Sequence, residues 1–166
     1  MSMYCFNCSV GGLFMSVFAG LLLAQPAASA QEKDKIPKKV MDTLMAKFPK
    51  AEIHKWTKEK EGDVVVYDLE FKQEGRKFEA DIKEDGTIHN WEKEVAVKDV
   101  PDAVKKAVEK KYARSIPKEI MQITAVKNGK EELEGYEIVL ETAGKKEVEV
   151  TVAPDGKILE DSGDKK

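Results

Sequence analysis

The chain has 166 residues, 42% hydrophobic and 36% charged, with 28 Lys and Arg against 31 Asp and Glu for a net charge of −3. So balanced and dense a charge suits a soluble surface and leaves no basic footprint for nucleic acid. Its two cysteines, Cys5 and Cys8, both lie in the first thirty residues. No thiol or disulfide chemistry is therefore expected beyond that segment.

Residues 1–30 contain no Lys, Arg, Asp or Glu, and Val10 to Ala24 is a nearly continuous apolar run. That run is about fifteen residues, short of the roughly 20 that a membrane-spanning helix needs. Pro26 and Ala28-Ser29-Ala30 follow it, the small-x-small pattern read by a signal peptidase. A signal peptide over 1–30 is the expectation, with no stable membrane span after its removal. Met1 to Leu13 lack the usual positive charge, so retention as an uncleaved anchor is the alternative. No cysteine stands at the cleavage position, which argues against a lipoprotein.

Ile36, Val40, Leu44 and Phe48 then recur at i, i+4, i+8 and i+12 behind Pro37. That is the period of a helix with one buried face, and proline at its start costs no hydrogen bond. Beyond it, Asp63 to Phe71 alternates, with Val65, Tyr67, Leu69 and Phe71 on one side and Asp68 and Glu70 on the other. Gly75-Arg76 turns the chain into Phe78, Ala80 and Ile82, and Asp85-Gly86 turns it again into Thr87 to Trp91. The whole pattern then returns. Val100-Pro101 leads Val104, Val108 and Tyr112; Tyr136, Ile138 and Leu140 alternate with Glu137 and Glu141; Asp155-Gly156 repeats the second turn. Repetition of this kind marks structural units of shared architecture. The expected fold is α+β, in two tandem repeats over 36–94 and 100–160. Each is read as a helix followed by about four antiparallel strands, with the helices packed on one sheet face. The two are expected to form one compact unit, since about 65 residues alone would be marginal.

The Pro-led helix Val104-Lys105-Lys106-Ala107-Val108-Glu109-Lys110-Lys111-Tyr112, the strand Gly135 to Leu140 and the closing Pro154-Asp155-Gly156-Lys157-Ile158-Leu159 together resemble the PepSY-like domains. The likeness is to their tandem, β-lactamase-inhibitor-like group and covers nearly all of 36–160. It implies an exported bacterial protein without enzymatic activity that binds other proteins through the exposed sheet face. It brings no catalytic motif and no partner-contacting residue that can be carried over.

Two groups of residues are candidates for a site. His54-Lys55-Trp56 and His89-Asn90-Trp91 hold the only histidines and tryptophans of the chain. Residues i and i+2 share a strand face, so each pair reads as an aromatic, hydrogen-bonding patch or as ordinary half-buried packing. The second group is acidic. Asp68, Glu70, Glu79 and Asp81 point away from the core in the first half, and Glu137, Glu141, Glu147 and Glu149 in the second. Like charges opposite one another repel, which raises a cationic partner; interleaved lysines make a solvated face the plainer reading.

Neither a metal site nor a cofactor is expected, because no D-x-D-x-D-G loop, Gly-rich phosphate loop or G-x-S-x-G is present. Carboxylates on exposed strands would also lack the burial that tunes an acid against a base. The reading is thus a periplasmic or secreted, non-catalytic protein that engages or inhibits another envelope or secreted protein through its exposed sheet face. The alternative is an envelope protein binding a small ligand or a divalent cation.

Overall fold

The computed structural model of the chain describes residues 35–62 and 64–164. The expected signal peptide over 1–30 lies outside them. Eight strands follow one another: β1 (Glu52–Glu61), β2 (Val64–Gln73), β3 (Arg76–Lys83), β4 (Ile88–Glu94), β5 (Ile116–Lys127), β6 (Lys130–Glu141), β7 (Glu147–Val152) and β8 (Ile158–Asp161). Helix α1 (Lys38–Lys47) precedes β1, and α2 (Asp102–Lys111) separates β4 from β5. Among the described residues, no helix is long and apolar enough to cross a membrane.

All eight strands form one antiparallel sheet in the order β1-β2-β3-β4-β5-β6-β7-β8. This corrects the expected architecture of two tandem helix-plus-strand repeats with helices packed on one face. The described residues are mostly a single eight-stranded sheet, and their α-helices are two segments of ten residues. The physical reason is the pairing of β4 with β5, from Asn90↔Ala125 to Glu94↔Met121. Each half alone would present there a row of unsatisfied backbone donors and acceptors. Joining the rows satisfies both, so the half is not the architectural unit.

The inner face carries two buried clusters. Val40, Leu44 and Phe48 lie with Tyr67, Leu69, Phe71, Ala80 and Ile82; Val104 and Val108 lie with Ile120, Tyr136, Ile138, Leu140, Val150 and Val152. Leu44, Leu69 and Leu140 are fully buried, each contributing about 1.5–3 kcal/mol of transfer free energy. Phe71 and Phe78 stack at 5.5 Å between centroids, and Phe48 tilts onto both.

Two turns touch the helices. Thr43 Oγ1 donates to Gly86 O at 2.9 Å, and a Cβ on Gly156 would stand 2.8 Å from Ala103 O. Both glycines have φ of +91°, a region that side chains avoid. Gly75, with φ of +81°, has open space around it. Gly75→Ala should therefore cost about 1 kcal/mol and Gly156→Ala roughly 2–3 kcal/mol, the difference being the clash. Urea unfolding of both variants checks this; equal losses would mean that the turn does not press on α2.

Candidate functional site

The outer face is built by strand alternation, and its polar rows meet with like charges opposed. Asp68 pairs with Asp81 and Glu70 with Glu79 across β2 and β3, and Glu79 pairs with Glu92 across β3 and β4. Across the central junction, Glu92 stands opposite Ile123 of β5, and Glu137 of β6 stands opposite Met121. Thr151 and Glu149 of β7 continue the row. A depression of ≈600 Å³ opens on this face, and ten carboxylates and three lysines are among the described residues that line it.

These carboxylates are not a solvated fringe. Asp68, Glu70, Glu79, Asp81, Glu92 and Glu137 are all half-buried, and Oε2 of Glu92 is shut off from solvent with no hydrogen-bond partner. Lysines relieve part of the repulsion: Lys55 bonds Glu70 at 2.5 Å, and Lys77 bridges Glu79 and Glu119 at 2.8 Å each. Asn90 Nδ2 donates to Asp81 Oδ2 at 3.0 Å, and Thr57 Oγ1 approaches Asp68 Oδ2 at 3.4 Å. What remains drives protons on. Burial first, then the charges of Asp81, Glu79 and Glu70, push the Asp68 carboxyl up to about 7. Burial and Glu149, Glu79 and Glu119 push Glu137 up to about 8. Glu92 is raised well above the usual carboxylate range by burial, with Glu137 the foremost neighbouring charge. Burial opposes the charge of Lys77, but its bonds to Glu119 and Glu79 raise its pKa overall.

The histidine and tryptophan pairs lie differently. β1 has a bulge between Ile53 and Lys55, so His54 falls out of register and is exposed. Trp56 is opposite Leu69, half-buried against the first cluster and 6.2 Å from Tyr67. His89 likewise falls at the irregularity between Asp81 and Ile82, and burial first of all lowers its pKa. Trp91 is opposite Ala80, edge-on to Phe48 at 5.8 Å and under Lys47 Nζ at 4.8 Å. Both indoles thus belong to the inner face. Asp68, Glu70, Glu79 and Asp81 are brought together; His54, Trp56, His89 and Trp91 do not join them. Sequence reasoning missed Glu92, because it ended β4 at Trp91. The alternation Asn90, Glu92, Glu94 was the available signal. Among the described residues, no group of three or more His, Cys, Asp or Glu is placed to hold a metal ion.

A family model described as "Putative beta-lactamase-inhibitor-like, PepSY-like" matches residues 27–90 and 66–160. The chain belongs to this PepSY-like family. Its fold is similar to that of a DUF2874 family protein from Bacteroides uniformis (14% identity, 75% of this chain and 87% of that one, TM-score 0.58). It is also similar to a protein from Bacteroides eggerthii described as periplasmic (14%, 76% and 87%, 0.59) and to a BLIP-like protein from Bacteroides fragilis (19%, 76% and 85%, 0.51). No curated protein matches the sequence. The periplasmic or secreted location expected for this PepSY-like protein agrees with that description.

The buried carboxylates set the pH dependence of stability. Asp68, Glu92 and Glu137 have folded-state pKa values above their unfolded ones, so the folded protein holds more protons. Their contribution is complete below about pH 4 and is lost as pH rises through 7 and 8. His89 works the other way below about pH 6.5, but is one group against three. Tm should fall by roughly 5–10 °C between pH 5 and pH 9. Asp68→Asn and Glu137→Gln should each flatten that slope in calorimetry. A Tm that rises over this range would contradict the assignment.

Proposed function

We propose that this protein is a non-catalytic binding protein of the cell envelope that engages, and in doing so inhibits or modulates, another envelope or secreted protein through the outer face of its sheet. The observation that carries this reading is the depression itself: desolvated, mutually repelling carboxylates held on the sheet face opposite the two buried clusters. Such residues cost stability where they stand, and a positive occupant would relieve the repulsion that Lys55, Lys77 and bound protons relieve only in part. The family's inhibitor-like description is in keeping with this.

Catalysis is disfavoured by the direction of the shifts. An acid working against a base needs pKa values driven apart, whereas Asp68, Glu92 and Glu137 all move upward, and Asp161, the lining carboxylate that moves downward, is tied to Lys111 and Tyr112. The indoles, sitting on the inner face, are not part of the proposed contact.

The test is affinity capture from the source organism's envelope extract, with mass spectrometry as readout and the tagged protein as bait. A partner retained by the wild type should be lost with Glu79→Lys and kept with Glu109→Lys on α2, both baits being folded by calorimetry. Retention by Glu79→Lys would remove the outer face from the contact. A calcium-dependent rise in Tm of several degrees without any captured protein would favour the cation-binding alternative.

A further inference from the structure

Strand β5 carries three apolar residues at alternate positions on the outer face. Met121, Ile123 and Ala125 are 2%, 8% and 5% exposed and belong to neither inner cluster. Met121 lies between Glu94 of β4 and Glu137 of β6, and Ile123 between Glu92 and Gly135. These three residues are sealed beneath the acidic face and do not line the depression, whose apolar lining is Val139 and Val148. One of the flanking carboxylates, Glu92, has an oxygen closed to solvent and unpaired.

That combination separates the candidate occupants. A divalent ion such as calcium takes 6–8 oxygens converging at 2.3–2.6 Å, and no described group of acidic residues converges in that way. The carboxylates are instead spread over every strand from β2 to β8, each about 4.8 Å from its neighbours. An extended row of negative charge complements a row of positive charge. Arginine suits such a row better than lysine, because its planar, weakly hydrated fork can bond two carboxylates at once.

We propose that the occupant of this face is a basic segment of the partner protein, with the guanidinium of one arginine between Glu92 and Glu137. This rests on the reading of the outer face as the binding surface and names the chemistry that it recognises. The unpaired Glu92 oxygen gains its missing donors, and Lys77 remains on Glu79 and Glu119.

The test is calorimetric titration of the purified protein with a hexa-arginine peptide at physiological salt. Wild type should bind one peptide. Glu92→Gln and Glu137→Gln should each weaken binding about tenfold, while Glu109→Gln on α2 should change it less than twofold. The site variants remove a buried carboxyl that folding forces to take up a proton, so their Tm should be unchanged or higher, and lost binding cannot be ascribed to unfolding. Equal weakening by all three variants, or no saturable binding, overturns the proposal. So does tighter binding of spermidine or calcium than of the peptide. A concentration-dependent oligomer broken by Glu92→Gln would make the occupant a second copy of this chain, whose α2 presents Lys105, Lys106, Lys110 and Lys111, and would equally overturn it. If capture returns a partner that Glu79→Lys loses while hexa-arginine ignores Glu92, the arginine assignment fails and the outer face stands. If hexa-arginine discriminates Glu92 from Glu109 but no protein is captured, the cation chemistry stands and the partner reading fails.

Discussion

The ladder between β4 and β5 is the constraint from which the rest of the molecule follows. The chain leaves β4 at Glu94, runs through α2, and returns at Ile116 to lie antiparallel beside the strand it left. Five residue pairs, Asn90↔Ala125 to Glu94↔Met121, make that seam. Val95 N–H adds a bond to Ile120 O at 3.0 Å. Unpaired, the two strands would be sheet edges, each an invitation to pair with another chain. Paired, they are the centre of the sheet. The seam also fixes the outer face, because it decides that Glu92 of one half and Glu137 of the other flank the same strand.

That placement has an electrostatic consequence. Opposed carboxylates at the rim of a sheet are cheap, since water screens them. At the middle of a sheet, half-buried, they are screened less by water. Asp68, Glu92 and Glu137 take up protons because no full set of counterions is built in beside them. Lys55 and Lys77 compensate on the β2–β3 side. Lys111 of α2, by contrast, is spent at the β8 end: it bonds Asp161 at 2.7 Å, and Tyr112 bonds the same carboxylate at 2.5 Å. Asp161, so paired, is held below its ordinary pKa despite burial. The fold thus contains well-matched carboxylates, and the central ones are not among them.

Local features were legible in the sequence because short-range physics decides them. The stripe Val40, Leu44, Phe48 and its counterpart Val104, Val108, Tyr112 set the helices, and Asp85-Gly86 and Asp155-Gly156 set the turns. The parity of Asp68, Glu70, Glu79 and Asp81 was legible too, since alternation within β2 and β3 is uninterrupted there. What could not be read were the decisions made between distant residues. Nothing local in Asn90 to Glu94 says that its partner is Met121 to Ala125. Bulges are equally silent: the one at His54 sends Trp56 inward, opposite Leu69, where unbroken alternation from Ile53 would have turned it out. A single inserted residue flips every side chain beyond it. That is why the His-x-Trp pairs read as a patch, and why Glu92 was not placed with the acidic residues Asp68, Glu70, Glu79 and Glu137 that the sequence did expose.

The position of the bulges bears on function as well. Both irregularities in the first half, at His54 and His89, turn a tryptophan toward the inner cluster and leave polar residues outside. Without the shift at Asp81/Ile82, Trp91 and Glu92 would exchange faces, placing an indole among the carboxylates and a carboxylate against Phe48. The bulge therefore does two things with one residue: it completes the aromatic packing of Phe48, Phe71 and Phe78, and it delivers Glu92 to the floor of the depression. A sheet selected only for stability would take the first gain and place a neutral residue at position 92. Retaining a desolvated acid opposite Ile123 is a local inconsistency of the kind expected where a surface is shaped for something that it binds.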